Sequence, residues 1–257
     1  MELLAHARIV MWEGGALWVV DATKPSTSEP RRTGLHAHHA IQVTIGLGGV
    51  FRLDTPNGHV AGDSIAVAAD AEHTFEAEGL IALLFVEPES RSGRAIAARL
   101  FKGKDLAIVP DALFADFRER IVTAFRAGDR PDLVFVELGR GLIAHLASDL
   151  RADIPDLRIR KVVAWAGRQL EGPVSLTDAA PVANLSPGRL RHLFVEQTGL
   201  PFKTYVLWLR LTRAVQCFAA GKSLTDAAHG AGFSDSAHLS RTFRRMFGIT
   251  PASIRIT

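Results

Sequence analysis

Through the first 87 residues apolar and polar positions change over in short runs, the signature of strands. Ile9-Val10-Met11-Trp12 and Ala16-Leu17-Trp18-Val19-Val20 flank Glu13-Gly14-Gly15, which predicts a hairpin. Residues 41–45 alternate, and Gly46, Gly48 and Gly49 lead into Val50-Phe51-Arg52-Leu53. Pro56-Asn57-Gly58 predicts a turn. Residues 64–67 and 80–86 are further strands. Many short strands joined by Gly-rich turns predict a barrel or sandwich. After Pro88-Glu89-Ser90 the period becomes helical, with helices expected over 94–101, 112–127 and 133–150. In the third, Leu133, Val136, Leu142 and Leu146 share a stripe that Phe135 and Ile143 widen. Such a stripe needs two partners, either two surfaces of its own chain or the barrel and a second subunit. Residues 151–156 read as a linker, and from Leu157 onward the pattern is almost entirely helical.

That helical part contains an internal repeat. Ser175-Leu176-Thr177-Asp178-Ala179-Ala180 recurs letter for letter as Ser223-Leu224-Thr225-Asp226-Ala227-Ala228, an offset of 48 residues. Phe194 and Gly199 correspond to Phe243 and Gly248 at an offset of 49, so one residue is inserted near the turn or the start of the second helix. Each copy has the makings of a helix-turn-helix. Ser-x-x-Asp is a capping-box variant. Asn184 and Gly232 stand where a sharp turn wants a positive φ. Ser186-Pro187 is an N-cap followed by proline at the first helical position. Leu190, Leu193 and Phe194, and in the second copy Leu239, Phe243, Met246 and Phe247, form buried stripes.

Charge adds a direction. From Asp156 onward there are 14 Lys+Arg against 6 Asp+Glu, while the preceding residues hold 16 against 21. A basic C-terminal third suits a polyanion, since Lys and Arg on phosphates release counterions. The lone cysteine, Cys217, excludes an intrachain disulfide framework and reads as a buried, inert thiol. No apolar run is long enough to span a bilayer, and residues 1–12 read as no secretory signal, so no membrane partner and a cytoplasmic location are expected. Gly46-x-Gly48 opens no helix and fails as a dinucleotide fingerprint. No Ser-His-Asp or paired-carboxylate arrangement follows from the spacing, and the chain is not expected to be an enzyme.

The stretches SLTDAAPVANLSPGRLRHLFVEQTGLPFKTYVLWLRLTRAV and SLTDAAHGAGFSDSAHLSRTFRRMFGITPASIR resemble the DNA-binding domain of the AraC/XylS family. The second carries its most specific signature: Gly232-Phe233-Ser234-Asp235, Ser240-Arg241-x-Phe243, Phe247-Gly248, and Thr250-Pro251 before Arg255. The resemblance implies a transcription regulator of class α+β with two domains. These are a cupin-like N-terminal β-barrel followed by helices, and an all-α C-terminal domain of tandem helix-turn-helix units. The boundaries drawn are 1–90 for a sensing barrel, 91–152 for a helical dimerisation region and 153–257 for DNA binding. Seven helices are implied in the last, with residues 202–221 as a rod between the recognition helices. The family's base-facing positions fall on Gly188, Arg189, Arg191 and His192, and on Ser236, Ala237, Ser240 and Arg241; backbone-contact roles fall on Arg244 and Arg245. Partners implied are double-stranded DNA, a small-molecule effector, a second copy of the chain and RNA polymerase; activation versus repression is left open. Pro181 departs from the pattern, since it removes a backbone donor and predicts a short or kinked first helix.

The N-terminal part is similar to cupins at His36-x-His38 with Gln42, and at Gly62, Ala68-x-Asp70 and His73. The corresponding cupin metal ligands are His, His, Glu and His, so His36, His38, Gln42 and His73 form either a site for Zn²⁺, Ni²⁺ or Fe²⁺ or the lining of an organic-ligand pocket. His39 is expected to face away from His38. A metal-dependent cupin enzyme carrying a DNA-binding tail is the alternative function.

Overall fold

The computed structural model describes residues 5–22, 32–60, 62–128, 131–147 and 154–256. The ends of the expected 133–150 helix and of the 151–156 linker fall partly outside these. Two compact units form: Met1–Ala152 together with Phe243–Thr257, and Asp153–Thr242. Among the described residues no helix is long and apolar enough to cross a membrane.

The first unit is built on a sheet. Its strands are β1 (Ala5–Trp12), β2 (Gly15–Ala22), β3 (Ile41–Gly46), β4 (Val50–Thr55), β5 (Gly58–Val60), β6 (Ser64–Val67), β7 (Thr74–Val86), β8 (Leu106–Ile108) and β9 (Ile254–Ile256). The order is β8-β6-β3-β7-β2-β1-β9, with β4 pairing β7 and β5 pairing β4. The β1–β2 hairpin registers Trp12 against Gly15, as the Glu13-Gly14 turn requires. β7 begins six residues before the expected Leu80. Its first half pairs β4 through Leu53 and Phe75, and its second half pairs both β2 and β3.

Alternation sorts each central strand into two faces. Leu17 and Val19 of β2, Ile41, Val43 and Ile45 of β3, and Ala82, Leu84 and Val86 of β7 enter one core. Helices α1 (Arg91–Leu100), α2 (Ala115–Ala127) and α3 (Asp132–Leu146) add Ile96, Ile121, Phe135, Leu138, Leu142 and Leu146 to that core. Each such side chain contributes roughly 1.5–3 kcal/mol on burial. The widened stripe of α3 is therefore covered by its own chain, and Leu133 alone of it is largely exposed. The opposite face of the strands carries Trp18, Gln42, Leu83 and Phe85, also buried; β2 and the second half of β7 therefore read as nearly continuous apolar runs, while β3 alternates because its second buried face is Gln42 and Thr44.

His39 fastens three connections of this unit. Its Nδ1 lies 2.8 Å from Asp70 and its Nε2 3.4 Å from Glu89, which follows β7. Burial disfavours its charge, but the hydrogen bonds and charges of Asp70 and Glu89 outweigh that and raise its pKa to about 9.

The second unit is helical: α4 (Leu157–Arg168), α5 (Leu176–Ala179), a 3₁₀ turn at Ala180–Ala183, α6 (Pro187–Thr198), α7 (Phe202–Ala219), α8 (Leu224–Gly230) and the start of α9 (Ser236–Phe247). Ile159, Val162, Ala179, Leu190, Phe194 and Tyr205 share a core. Arg210 donates from α7 to the carbonyls of Leu170 and Gly172, at 3.1 and 2.8 Å, and so anchors the exit of α4. Gly232 lies against the same exit with φ +78°, where a Cβ would stand 1.8 Å from the Leu170 oxygen. Cys217 is buried, as expected.

Residues 154–256 thus hold six α-helices and two 3₁₀ turns rather than the seven helices the resemblance implies. Two features depart from that pattern, the first in a helix's length and the second in the count. Pro181 ends α5 after one turn, because it has no N–H to give the Thr177 carbonyl, and the chain continues as 3₁₀. At the other end, Pro251–Ser253 forms a 3₁₀ turn and Ile254–Ile256 leaves the helical pattern to pair with β1 in parallel.

These contacts set three expectations. Folding raises the pKa of His39 above the ordinary 6.5, so its stabilisation is complete below that value and is lost as pH rises through about 9. Urea unfolding should show a His39-dependent loss on the order of 3 kcal/mol across that window, and His39→Gln should remove it. Gly232→Ala should lower stability by about 2 kcal/mol or more, since it is strained in φ and meets backbone. Gly188→Ala, which meets nothing within 4 Å in α6, should hold or raise the melting temperature, by about 0.5–1 kcal/mol in stability.

Candidate functional site

The two repeats become two helix-turn-helix units with the same local physics. Ser175 and Ser223 each accept the backbone N–H three residues on, at 3.1 Å. Their hydroxyls donate to Asp178 and Asp226, so each acid closes the cap through the serine side chain and not through its backbone. The turns pass through Asn184 (φ 52°) and Gly232 (φ 78°). Ser186 then caps α6 through the Arg189 N–H, with Pro187 in the first turn. In the second unit Asp235 takes that part, accepting from the His238 N–H at 2.6 Å. The inserted residue therefore lies between the left-handed residue and the cap of the second recognition helix.

These turns set which sides of α6 and α9 are covered. Leu190 and Phe194 are buried, and so are Leu239, Phe243, Met246 and Phe247. Gly188, Arg189, Arg191 and His192 are exposed on α6. Ala237, Arg241, Arg244 and Arg245 are exposed on α9, with Ser236 and Ser240 half-buried. Ser240 donates to the Ser236 carbonyl at 2.8 Å. Arg241 lies close enough to the α9 cap that its charge, after the His238 N–H, helps hold the Asp235 carboxyl below its usual range. Among the described residues none of the five arginines forms an ion pair with a carboxylate. The guanidinium forks thus stand exposed and outside any ion pair, with Asp235 the acid whose charge Arg241 feels, as binding to phosphates or guanine edges requires.

The first unit holds a second candidate site. His36 and His38, before β3, meet His73, before β7, with ligand atoms within 4.8 Å of one another. A single strand-like bridge pairs His36 with His73. The Nδ1 atoms lie 2.8 Å from Gly34 O, 3.1 Å from Ala40 O and 2.9 Å from Ala71 O, respectively. His38 Nε2 lies 3.0 Å from Gln42 Oε1, and Gln42 donates to Thr44. Burial, then the neighbouring His73, pushes His36 down to about 4 and, with His36 added, His38 down to about 3; burial also lowers His73. All three rings are therefore neutral near pH 7. His39 takes no part, facing Asp70 and Glu89 as the sequence predicts.

These residues fit a divalent cation by two observations. Carbonyls at each Nδ1 are the outer partners that orient ligating imidazoles and direct the lone pair to Nε2. His73 Nε2 is buried with no hydrogen-bond partner. His38 moreover sits between two oxygens, Ala40 O and Gln42 Oε1, and a neutral ring can donate to only one of them. Without a cation that geometry needs the Gln42 amide turned to offer its N–H; with one, Nε2 and Oε1 become joint ligands.

Of the cupin-like motif residues, His36 and Gln42 also border a cavity of about 740 Å³, open mouth included. Its walls are Trp18 and Val20 of β2, Phe75, Ile81, Leu83 and Phe85 of β7, and Phe247, Ile249 and Ile254, with His36 and Gln42 at one side. Trp18 contacts both Phe85 and Phe247, at centroid distances of 5.1 and 5.2 Å. Gly248 follows at φ +71°, its carbonyl accepting from the Gly34 N–H at 2.9 Å, and any Cβ there would meet Gly34 O at 2.5 Å. Trp18, Phe85, Phe247, Ile249 and Ile254 were not legible as wall residues. They come from both ends of the chain, and the only local trace is the Ile254-Arg255-Ile256 alternation.

Residues 179–256 match a family described as a helix-turn-helix domain. The HTH-type transcriptional activator RhaS of Enterobacter sp. (strain 638) is 36% identical over 101 residues, 39% of this chain and 36% of that protein. RhaS of Citrobacter koseri is 35% identical over 146 residues, 54% of this chain and 52% of that protein. The matches thus span about a third to a half of the length of these curated relatives. The crystal structure of unsaturated fatty acid bound wild-type ToxT from Vibrio cholerae strain SCE256 aligns with a TM-score of 0.57 at 12% identity, over 94% of this chain and 95% of that one, a likeness of fold. The matched segment 179–256 covers most of the two duplicated, capped helix-turn-helix units, so this part of the chain is a helix-turn-helix domain similar to that family and to the RhaS activators.

Proposed function

We propose that the protein is a sequence-specific DNA-binding transcription regulator whose promoter occupancy answers to a small molecule in the cavity of the sheet unit. The observation that carries this reading is the pair of recognition helices, each with a buried apolar stripe and an exposed basic surface. On α6, Gly188, Arg189, Arg191 and His192 face DNA; on α9, Ser236, Ala237, Ser240 and Arg241 read bases while Arg244 and Arg245 hold phosphates. Two such helices on one chain suit adjacent major-groove segments roughly 34 Å apart. The names of the relatives, transcriptional activators, favour the regulator over the enzyme. ToxT, bound to an unsaturated fatty acid, lends the ligand-controlled part its precedent.

Control also has a physical route. Helix α9 carries Ser236 to Arg241 at its start and ends on Phe247, a wall of the cavity. An occupant with different affinity for two placements of Phe247 would bias the whole helix, which is the condition for coupling. We assign the protein to the cytoplasm, with a second copy of the chain and RNA polymerase as partners. Because the inner stripe of α3 is used within the chain, a dimer through 91–152 would engage the remaining surface around Leu133.

The DNA reading is tested by selecting bound sequences from a random pool and measuring affinity for the winner. Arg241→Ala should cost about 1–3 kcal/mol and relax preference at one base position. Equal weakening on every sequence would move Arg241 to the phosphate contacts, and no selected sequence at all would sink the regulator. The histidine cluster has its own test. The purified protein should take up one divalent ion, with Zn²⁺ or Ni²⁺ stoichiometry read by elemental analysis, and His73→Ala should lose it. Turnover that vanished along with the ion would instead favour the metal-dependent enzyme.

A further inference from the structure

We propose that the cavity of the sheet unit takes a neutral, largely apolar molecule with a single hydrogen-bond acceptor, a carbonyl above all, held by the indole N–H of Trp18. The proposal rests on the reading of this unit as the ligand-binding part of a regulator, and it narrows the chemical class of that ligand.

The argument is one of elimination among the lining groups. No Lys, Arg, Asp or Glu is among the lining residues, so in the metal-free protein a charged occupant would be buried against no opposite charge. A polyol would need many polar partners, and the wall has few to spare. Thr33 Oγ1 already accepts from the Phe75 N–H at 2.9 Å. Gln42 is spent on His38 and Thr44. His36 Nδ1 is engaged by the Gly34 carbonyl. What remains is Trp18 Nε1, a donor on a side chain 4% exposed, with no hydrogen-bond partner. Buried indole N–H groups ordinarily find an acceptor. The rest of the wall is aliphatic and aromatic: Ile81, Leu83, Phe85, Ile249 and Ile254 beside Trp18. An apolar body against these, with one oxygen on the indole, satisfies that orphan donor and brings no charge into the cavity.

The test uses the full chain without DNA, stripped of divalent metal by chelation, and three matched probes: 1-phenyl-1-butanone, butylbenzene and 4-phenylbutyrate, with glucose as a fourth. Binding is read by calorimetry and by the shift in melting temperature. The ketone should bind most tightly, butylbenzene more weakly, and the carboxylate and glucose not measurably. Trp18→Phe should weaken the ketone roughly three- to tenfold and leave butylbenzene unchanged. Ala77→Phe, which fills the cavity from β7, should abolish both, and it carries the test if Trp18→Phe does not fold. A ketone bound no better than the hydrocarbon, a preference for the carboxylate or glucose, or a Trp18→Phe variant with unaltered ketone affinity would each overturn the proposal. DNA binding by mobility shift is measured separately, so a failure of the regulator reading leaves the ligand result to stand or fall by itself.

Discussion

Everything the exposed basic surface of α6 and α9 does depends on one backbone state used twice. Asn184 and Gly232 lie in the left-handed region between a short capped helix and the helix that follows. That conformation reverses the chain in the fewest residues, and it decides which side of α6 and α9 turns inward. With Leu190 and Phe194 inward, Arg189 and Arg191 must stand outward; with Leu239 and Phe243 inward, Arg241 must do the same. The second turn is held more tightly, because Gly232 is pressed against the exit of α4 that Arg210 anchors. The first tolerates asparagine, one of the few residues besides glycine that adopts this state at small cost.

The sheet unit rests on a different economy. Its central strands are buried on both faces, one against α1–α3 and the other around a cavity. Burial keeps His36, His38 and His73 neutral, which preserves their lone pairs, while carboxylates keep His39, next along the chain, protonated. Two residues apart by one peptide bond are thus put to opposite uses, one as a candidate ligand and the other as a structural cation. The same burial leaves Trp18 Nε1 and His73 Nε2 without hydrogen-bond partners, and the proposed ligand and metal sites are argued from these two atoms.

Much of the chain could be read before it folded. The hexapeptide repeat, its serine caps and its turn residues are local signals, and each acts within a few residues of its own backbone. The Pro181 break in the first helix was legible for the same reason. The inserted residue was legible only as an offset; its place became clear once Asp235 was seen to cap α9 where Ser186 caps α6. The first half of β7 was missed although Phe75 and Ala77 alternate with Glu76 and Glu78, because glutamates diluted an apolar signal that was strong only from Leu80.

Taken alone, the order of residues determined the helix-turn-helix units, the outward arginines and the three histidines as a group, since periodicity, capping and close spacing are properties of neighbours along the chain. Only the tertiary structure decided that Ile254–Ile256 would join β1, that α3 would spend its stripe on its own core, and that Trp18, Phe85 and Phe247 would wall one cavity. Those outcomes depend on packing between segments more than 50 residues apart, where the free energy comes from surfaces removed from water together and no local pattern records the partner.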